Sequence, residues 1–399
     1  MSNLHFNSYP SAKSRAIKLL LAITAIQSIF FLFVVSEPGI LLFVTTALCA
    51  FFLLIIACMP RLVHEVGSRG SRPLRWERIL PTIVLALAIF KIATRSDLYF
   101  ASIVEGFSFA RQLVDNSQTS KVSLHTIVNV FLTPLWINLI VARSDNRTRL
   151  SGLEGSAIVA VPLIALLDML LFGGRVIFAL QMVMLFISGV LKPRYVPWVG
   201  ALFVVAFIYV HALRSNEMFE LGFSYLSLTS SGHSLPPMND LDAIGMPNWT
   251  LAPLVLAQYI AHSIGELTHL VTELPIWKPT FAYLSDQMAA IGFGDRAISQ
   301  ALLEQSNPGF GNYSTFFGVF LVDFGLVGIG IAVFGLLMLV GMSHITRGHL
   351  RQVLVVLILS NVALASIDNF FIMGGGISQA ILTVFLAFTL SYQIGRAHV

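Results

Sequence analysis

Residues 40–59 read ILLFVTTALCAFFLLIIACM, a stretch with no charge whose polar side chains are Thr45 and Thr46. A helix rises ~1.5 Å per residue, so this segment is about 30 Å long, the hydrocarbon thickness of a bilayer. Buried helices of soluble domains rarely stay apolar on every face for that distance. The stretch therefore reads as a membrane span. Both cysteines, Cys49 and Cys58, lie within it. Nine positions apart on one helix, they cannot bridge, and they say nothing of the redox compartment.

Working outward, comparable apolar runs cover 19–36, 79–94, 124–142, 157–172, 176–191, 196–213, 315–342, 352–373 and 377–394. With 40–59 they predict ten transmembrane helices. Composition agrees. Of the 399 residues, 56% are hydrophobic and 11% charged, against roughly 25% charged in an ordinary soluble domain, and the mean hydropathy is +0.82. A soluble surface could not be covered with so few charges, and a coiled coil, a disordered chain and a disulfide scaffold are excluded too. The expected fold is an all-α, polytopic integral membrane protein, a single transmembrane domain over 1–399. The N-terminus is polar as far as Lys18 and lacks a cleavable signal pattern, so the first run is expected to remain as an anchor.

The net charge of +4 does not point to nucleic acid, because the location of the charges matters more than their sum. Sixteen of the 24 Lys and Arg fall on alternate connections, among them Lys13, Arg61, Arg143, Lys192, Arg347 and Arg396. The positive-inside rule puts that side in the cytoplasm, with both termini. The opposite side then carries a loop over 95–123 and a long one over 214–314. Segment 250–274 is apolar enough to be an eleventh span, but a crossing there would break the charge alternation. It is expected to lie in the outer interface or to dip back into the protein.

Several residues are candidates for chemistry. Arg175 ends a Gly173-Gly174-Arg175 turn between two spans, where a charge near the membrane surface needs a partner or a ligand. Arg111, Arg214 and Arg296 are further cations on that side, and a guanidinium grips phosphate with a planar fork. Each has a plainer reading as a snorkelling or loop-paired arginine. Tyr259, His262, Glu266, His269 and Glu273 follow at intervals of 3, 4, 3 and 4, which puts them on one helical face. His262 and Glu266 are candidate general bases, and the plainer reading is a polar stripe facing water. His233 lies in a Ser- and Gly-rich stretch and is the third candidate base. No cluster has convincing metal-ligand spacing, Asp240 and Asp242 included, so no metal and no cofactor is expected. Near the eighth run, Asn312 and Thr315 stand where a helix cap belongs. Asp323 sits inside the run and needs a partner, for which Asp368 and Asn369 are candidates.

Asn312-x-x-Thr315-Phe316, followed by Asp323-Phe324-Gly325-x-x-Gly328, resembles the signature of the Wzy-type O-antigen and exopolysaccharide polymerases. The Gly173–Arg175 turn is similar to that family's arginine turn, Arg111 to its first-loop arginine, and the long loop before the signature also fits. The resemblance implies a GT-C-like membrane glycosyltransferase in the bacterial inner membrane, with its site facing the periplasm. On that resemblance the substrate is an undecaprenyl-diphosphate-linked oligosaccharide and a chain-length regulator protein is an accessory partner; the developing charge of such a diphosphate needs cations, for which Arg175, Arg111, Arg214 and Arg296 are the candidates. No metal and no nucleotide sugar are implied. The related O-antigen ligases carry a histidine just before the signature asparagine, where this chain has Gly311; that favours polymerase over ligase. The alternative class is a transporter or flippase of lipid-linked sugars. It would show internal repeats and midplane charges, and the sequence has no repeat.

Overall fold

The computed structural model of the chain describes residues 11–35, 38–60, 75–104, 124–144, 151–172, 176–220, 252–277, 279–290, 294–306, 315–367 and 376–396. Among these residues the chain is all-helical, with no strand. The first eight helices are α1 (Ala12–Val34), α2 (Gly39–Cys58), α3 (Arg75–Ala93), α4 (Ser96–Val104), α5 (Leu124–Ser144), α6 (Gly152–Phe172), α7 (Val176–Ser188) and α8 (Val196–Glu220). Then follow α9 (Ala252–Glu273), α10 (Ala282–Ala290), α11 (Arg296–Ser306), α12 (Gly318–Phe324), α13 (Val327–Ile345), α14 (Gly348–Leu364) and α15 (Gly376–Arg396).

Each of the ten apolar runs is mostly helical over its described residues. Among the described residues, five stretches are long and apolar enough to cross a membrane: Ala12–Leu32, Gly39–Cys58, Gly152–Leu171, Pro193–Val210 and Val327–Ile345. A sixth is formed if α3 and α4, bent by 49° at their junction, are one span. Shorter apolar stretches occupy the rest, at Val128–Ser144, Ile177–Ser188, Gly348–Leu364 and Ser378–Ser391. Local chemistry sets several starts. At α6 the Ser151 hydroxyl accepts from the Glu154 amide, and the Glu154 carboxylate accepts from the Ser151 amide. This reciprocal capping box satisfies two amides that the first turn leaves without partners.

Side-chain bridges fix the direction of each helix. At one end, Lys13 donates to the Ala57 carbonyl and His344 to the Cys58 carbonyl, so α1 begins where α2 and α13 finish. At that end Arg143 also pairs with Glu154, His349 donates to Asn138, and the Leu350 amide donates to the Ser391 hydroxyl. This near end therefore holds the starts of α1, α6 and α14 and the finishes of α2, α5, α13 and α15. At the far end Gln27 of α1 donates to the Ser366 carbonyl beyond α14, and Lys91 of α3 meets Asp168 of α6. These helices thus run back and forth between the two ends of the bundle.

The core is built around α14. Every residue from Val353 to Leu364 is buried, and this helix belongs both to a cluster with α1, α2, α9, α12 and α13 and to one with α3, α5, α6 and α7. A helix apolar on all faces and enclosed by neighbours is what an interior position requires. The outside of the bundle is also apolar. Phe43, Phe100, Trp198, Phe334, Ile345 and Phe385 are all exposed, an outer surface suited to lipid rather than water.

The structure changes one expectation and decides between the two alternatives of another. Run 315–342 is two helices, α12 and α13, separated at Gly325. Segment 250–274 is α9, which packs on α8, α1, α2 and α12. Ala261, Ser263 and Ile264 are fully buried along it, so it dips into the protein and is no surface helix.

Candidate functional site

Among the described residues, three polar assemblies bear on the candidate site. The first joins α3, α4 and α6 at the far end. Asp168 receives Lys91 Nζ at 3.0 Å, Arg95 at 3.4 Å and the Tyr99 hydroxyl at 2.7 Å. Lys91, Arg95 and Tyr99 are spaced i, i+4, i+8, so the helix and its bend turn all three toward α6. Lys91 is 4% exposed. A charge so enclosed is tolerated because a carboxylate faces it, and removing one member strands the other at roughly 3–5 kcal/mol. Asp168 lies one turn before the end of α6 at Phe172. Ser102 of α4 donates to the Leu171 carbonyl at 3.1 Å, which holds α4 against that same end.

The second assembly is on α9. Its aromatic ring Tyr259 lies 5.9 Å from Phe207 of α8. Gln27 of α1 donates to the Ile260 carbonyl at 2.8 Å, and the Ser263 hydroxyl donates to the Ile367 carbonyl. These bonds set the rotation of α9. On the face that follows, His262 Nε2 and Glu266 Oε1 are 3.9 Å apart, and Glu266 is 3% exposed. The two side chains therefore do not belong to a water-facing stripe. An imidazole and a carboxylate held together out of bulk solvent form an acid–base pair. His269 and Glu273 continue the same helix.

The third assembly explains much of the motif at 315–328. The Thr315 hydroxyl accepts from the Gly318 amide at 3.2 Å as α12 begins. The Asp323 carboxylate accepts from the amides of Tyr283 and Leu284 at 2.8 and 3.2 Å, both in the first turn of α10. That is where a helix leaves donors unsatisfied and where its dipole favours an anion. The partner of Asp323 is thus a helix start; Asp368 and Asn369 lie outside the described residues. Gly325 has φ +65°, and an added Cβ would stand 2.4 Å from the Pro275 carbonyl oxygen. The next amides, of Leu326 and Val327, donate to the carbonyls of Pro275 and Ile276 at 3.2 and 3.1 Å. At Gly328 a Cβ would meet the Phe320 carbonyl oxygen at 1.9 Å. Phe324 packs on Trp277 and Phe281. Asp323, Gly325 and Gly328 therefore build the joint that docks segment 275–284 onto the broken helix.

The other sequence candidates are distributed as follows. Arg214 lies within α8, which continues to Glu220, so the last turns of that helix extend into what the sequence reads as loop. Arg296 opens α11, and its neighbour Asp295 caps that helix by accepting from the amides of Ala297 and Ile298. Arg175, Arg111, His233, Asn312, Asp240 and Asp242 lie outside the described residues. The structure brings His262 and Glu266 together and ties Asp323 to α10. Lys91, Arg95, Tyr99 and Asp168 were not among the sequence candidates. Their signal was available in the periodic spacing on α3–α4 and in one acid within an apolar run.

Comparison with protein-family models, with curated proteins and with solved structures finds no match for this chain. The class rests on the molecule itself: an all-helical chain with apolar helices suited to a bilayer and its ionic chemistry in compact buried clusters.

Proposed function

We propose that this chain is a membrane glycosyltransferase that polymerises undecaprenyl-diphosphate-linked oligosaccharide repeat units into O-antigen or exopolysaccharide. It works in the bacterial inner membrane, with ten spans, both termini in the cytoplasm and the far end of the bundle facing the periplasm. The motif resemblance supplies the family. The observation that carries the reading is the gathering of Lys91 and Arg95 around Asp168 at one end of the bundle. Cationic chemistry at one end suits an enzyme that handles a lipid headgroup at one membrane face. A transporter would need it near the bilayer midplane.

In the reaction an acceptor hydroxyl attacks the anomeric carbon of the growing glycan. The bond from that carbon to the diphosphate oxygen breaks, and the hydroxyl proton passes to a base. Undecaprenyl diphosphate leaves with its electron pair. Arg175, with Arg111, Arg214 and Arg296, is assigned to the developing charge on the diphosphate. His262 with Glu266 is assigned to the proton, and His233 is the other candidate base.

Deletion of the gene in its host, followed by gel analysis of surface polysaccharide, tests the reading. Loss of every chain longer than one repeat is the expected result. Intact free chains that fail to become attached would make the protein a ligase, and normal polysaccharide would end the proposal.

A further inference from the structure

Helices α10 and α11 present their side chains in the inverse of the order that water requires. Along α10 and the residue before it, Phe281, Leu284 and Met288 are exposed at intervals of 3 and 4, which places them on one helical face. The inward residues are Ala282 and Ala289, both buried, and Asp286 has a carboxylate oxygen shut off from solvent. On α11, Ile298 is 69% exposed while its neighbour Ser299 is 1% exposed, and Ser306, two turns on, is buried with it. Ala297 and Ala301 are exposed beside Ile298, and the exposed polar residues Asp295 and Gln305 stand at the two ends of the helix. A short helix on a wet surface turns its apolar stripe to the protein and its polar side chains out. Both helices do the opposite, which suits a surface whose solvent is hydrocarbon.

The joint at Gly325 sets the height of these helices. The amides of Leu326 and Val327 donate to the carbonyls of Pro275 and Ile276, and Val327 opens α13. That helix has 19 residues, about 28 Å at ~1.5 Å each, close to the ~30 Å of a bilayer core. Its first residue therefore stands at the far boundary of the hydrocarbon, with Ile276 and Trp277 beside it. Both are exposed, and that boundary is the level an amphipathic indole ring favours. From there α10 runs along the flank of the bundle, because Tyr283 and Leu284 share one recess with Ile331 and Ala332 of α13. Ile331 is one turn inside the boundary, about 6 Å, within the ~5–10 Å to which interfacial helices sink.

The apolar flank continues down α13. Val327, Ile331, Phe334 and Met338 are exposed at intervals of 4, 3 and 4 on a helix long enough to cross the membrane. What covers Phe334 and Met338 therefore also covers Leu284 and Met288. We propose that this occupant is lipid: α10 and α11 lie in the leaflet at the far end, with Phe281, Leu284, Met288 and Ile298 among its acyl chains and Asp295 at the level of its headgroups. With Ile276 and Trp277 they anchor the end of α9 and the start of α13 at a fixed height in the membrane. The sequence reads this part of 214–314 as loop on the water side. The inference uses the membrane character of the bundle and no step of the proposed reaction.

The test uses the full chain in nanodiscs of phosphatidylethanolamine and phosphatidylglycerol. An apolar diazirine dissolved in the acyl chains is irradiated with the wild-type protein, and adducts are mapped to residues by mass spectrometry. Leu284, Met288 and Ile298 are expected to be labelled at a yield equal to that of Phe334 and Met338. A second measurement places a nitroxide at position 284, 288 or 298 in a Cys49→Ala, Cys58→Ala background. Molecular oxygen should relax each label more than a water-soluble nickel chelate does, as at position 334, and the order should reverse at the exposed position 192. Relaxation dominated by nickel at 284, 288 and 298 would put the two helices in water and overturn the inference. Protection from both reagents would mean that protein covers them, either residues 221–251 or a second copy of the chain, and would overturn it equally. So would α10 and α11 without adducts beside a labelled α13. The polysaccharide of the deletion strain bears on the enzyme reading alone.

Discussion

Lys91 Nζ and Asp168 Oδ2 face each other at 3.0 Å between α3 and α6, and Arg95 and Tyr99 converge on the same carboxylate. The pair has a structural role whatever the ligand. Asp168→Asn strands the two cations and should cost roughly 3–5 kcal/mol, seen as a lower melting temperature and less protein in the membrane. Lys91→Met combined with Asp168→Leu removes both charges and should recover most of the lost protein. A double variant as depleted as Asp168→Asn would show that the pair does not act as a unit.

Asp323 is predicted to act through α10. Asp323→Ala leaves two first-turn amides without their acceptor and should destabilise by roughly 1.5–3 kcal/mol. Asp323→Asn keeps one acceptor oxygen and should cost less. Protease digestion after Phe281 or Tyr283 in detergent should rise in that order, Ala above Asn above wild type. Equal protection in all three would separate Asp323 from the docking of segment 275–284.

Glycines of the 325–341 stretch should divide into two groups. Gly328→Ala drives a Cβ to 1.9 Å from the Phe320 carbonyl oxygen, and Gly325→Ala adds a positive φ to a 2.4 Å approach. Each should lose roughly 1–3 kcal/mol or more, because backbone atoms cannot step aside as a side chain would. Gly330→Ala and Gly341→Ala meet open space and should be neutral or stabilising by up to ~1 kcal/mol. Thermal stability in detergent separates the groups, and a neutral Gly328→Ala would contradict the close approach.

Arg175→Ala should abolish polymerisation, and Arg175→Lys should leave a trace. Removing a donor that stabilises transition-state charge costs roughly 10²–10³ in rate, and lysine lacks the planar fork. A snorkelling arginine would leave chain length near normal. Both variants should reach the membrane in normal amount, and gel analysis of polysaccharide length is the readout. Wild-type length in the Arg175→Ala strain would remove Arg175 from the site.

Cysteine introduced at Ser234 should react with an impermeant maleimide from the periplasmic side, and cysteine at Ser71 only after the membrane is opened. Labelling of both from one side would overturn the ten-span topology.

The helical bundle was legible in residues such as 40–59, because hydrocarbon offers no hydrogen bonds. A crossing segment must satisfy its own backbone and stay apolar throughout, and that demand is written into composition and run length. The bend direction and the joints were not. Gly325, Gly330, Gly335 and Gly341 look alike as glycines in one apolar stretch, yet only Gly325 breaks the helix among them, because carbonyls of Pro275 and Ile276 take up the next amides. In the same way His262 and Glu266 were legible as neighbours one turn apart. Whether they face water or protein depended on Phe207, Gln27 and Ile367, which set the rotation of α9. Arg95 and Asp168 stand 73 positions apart, and no local pattern pairs them. Sequence alone determined that this chain is a helical membrane protein, since the solvent imposes that residue by residue. Tertiary structure alone decided which buried charges meet, since a charge inside the bundle is held by the partner that packing delivers to it.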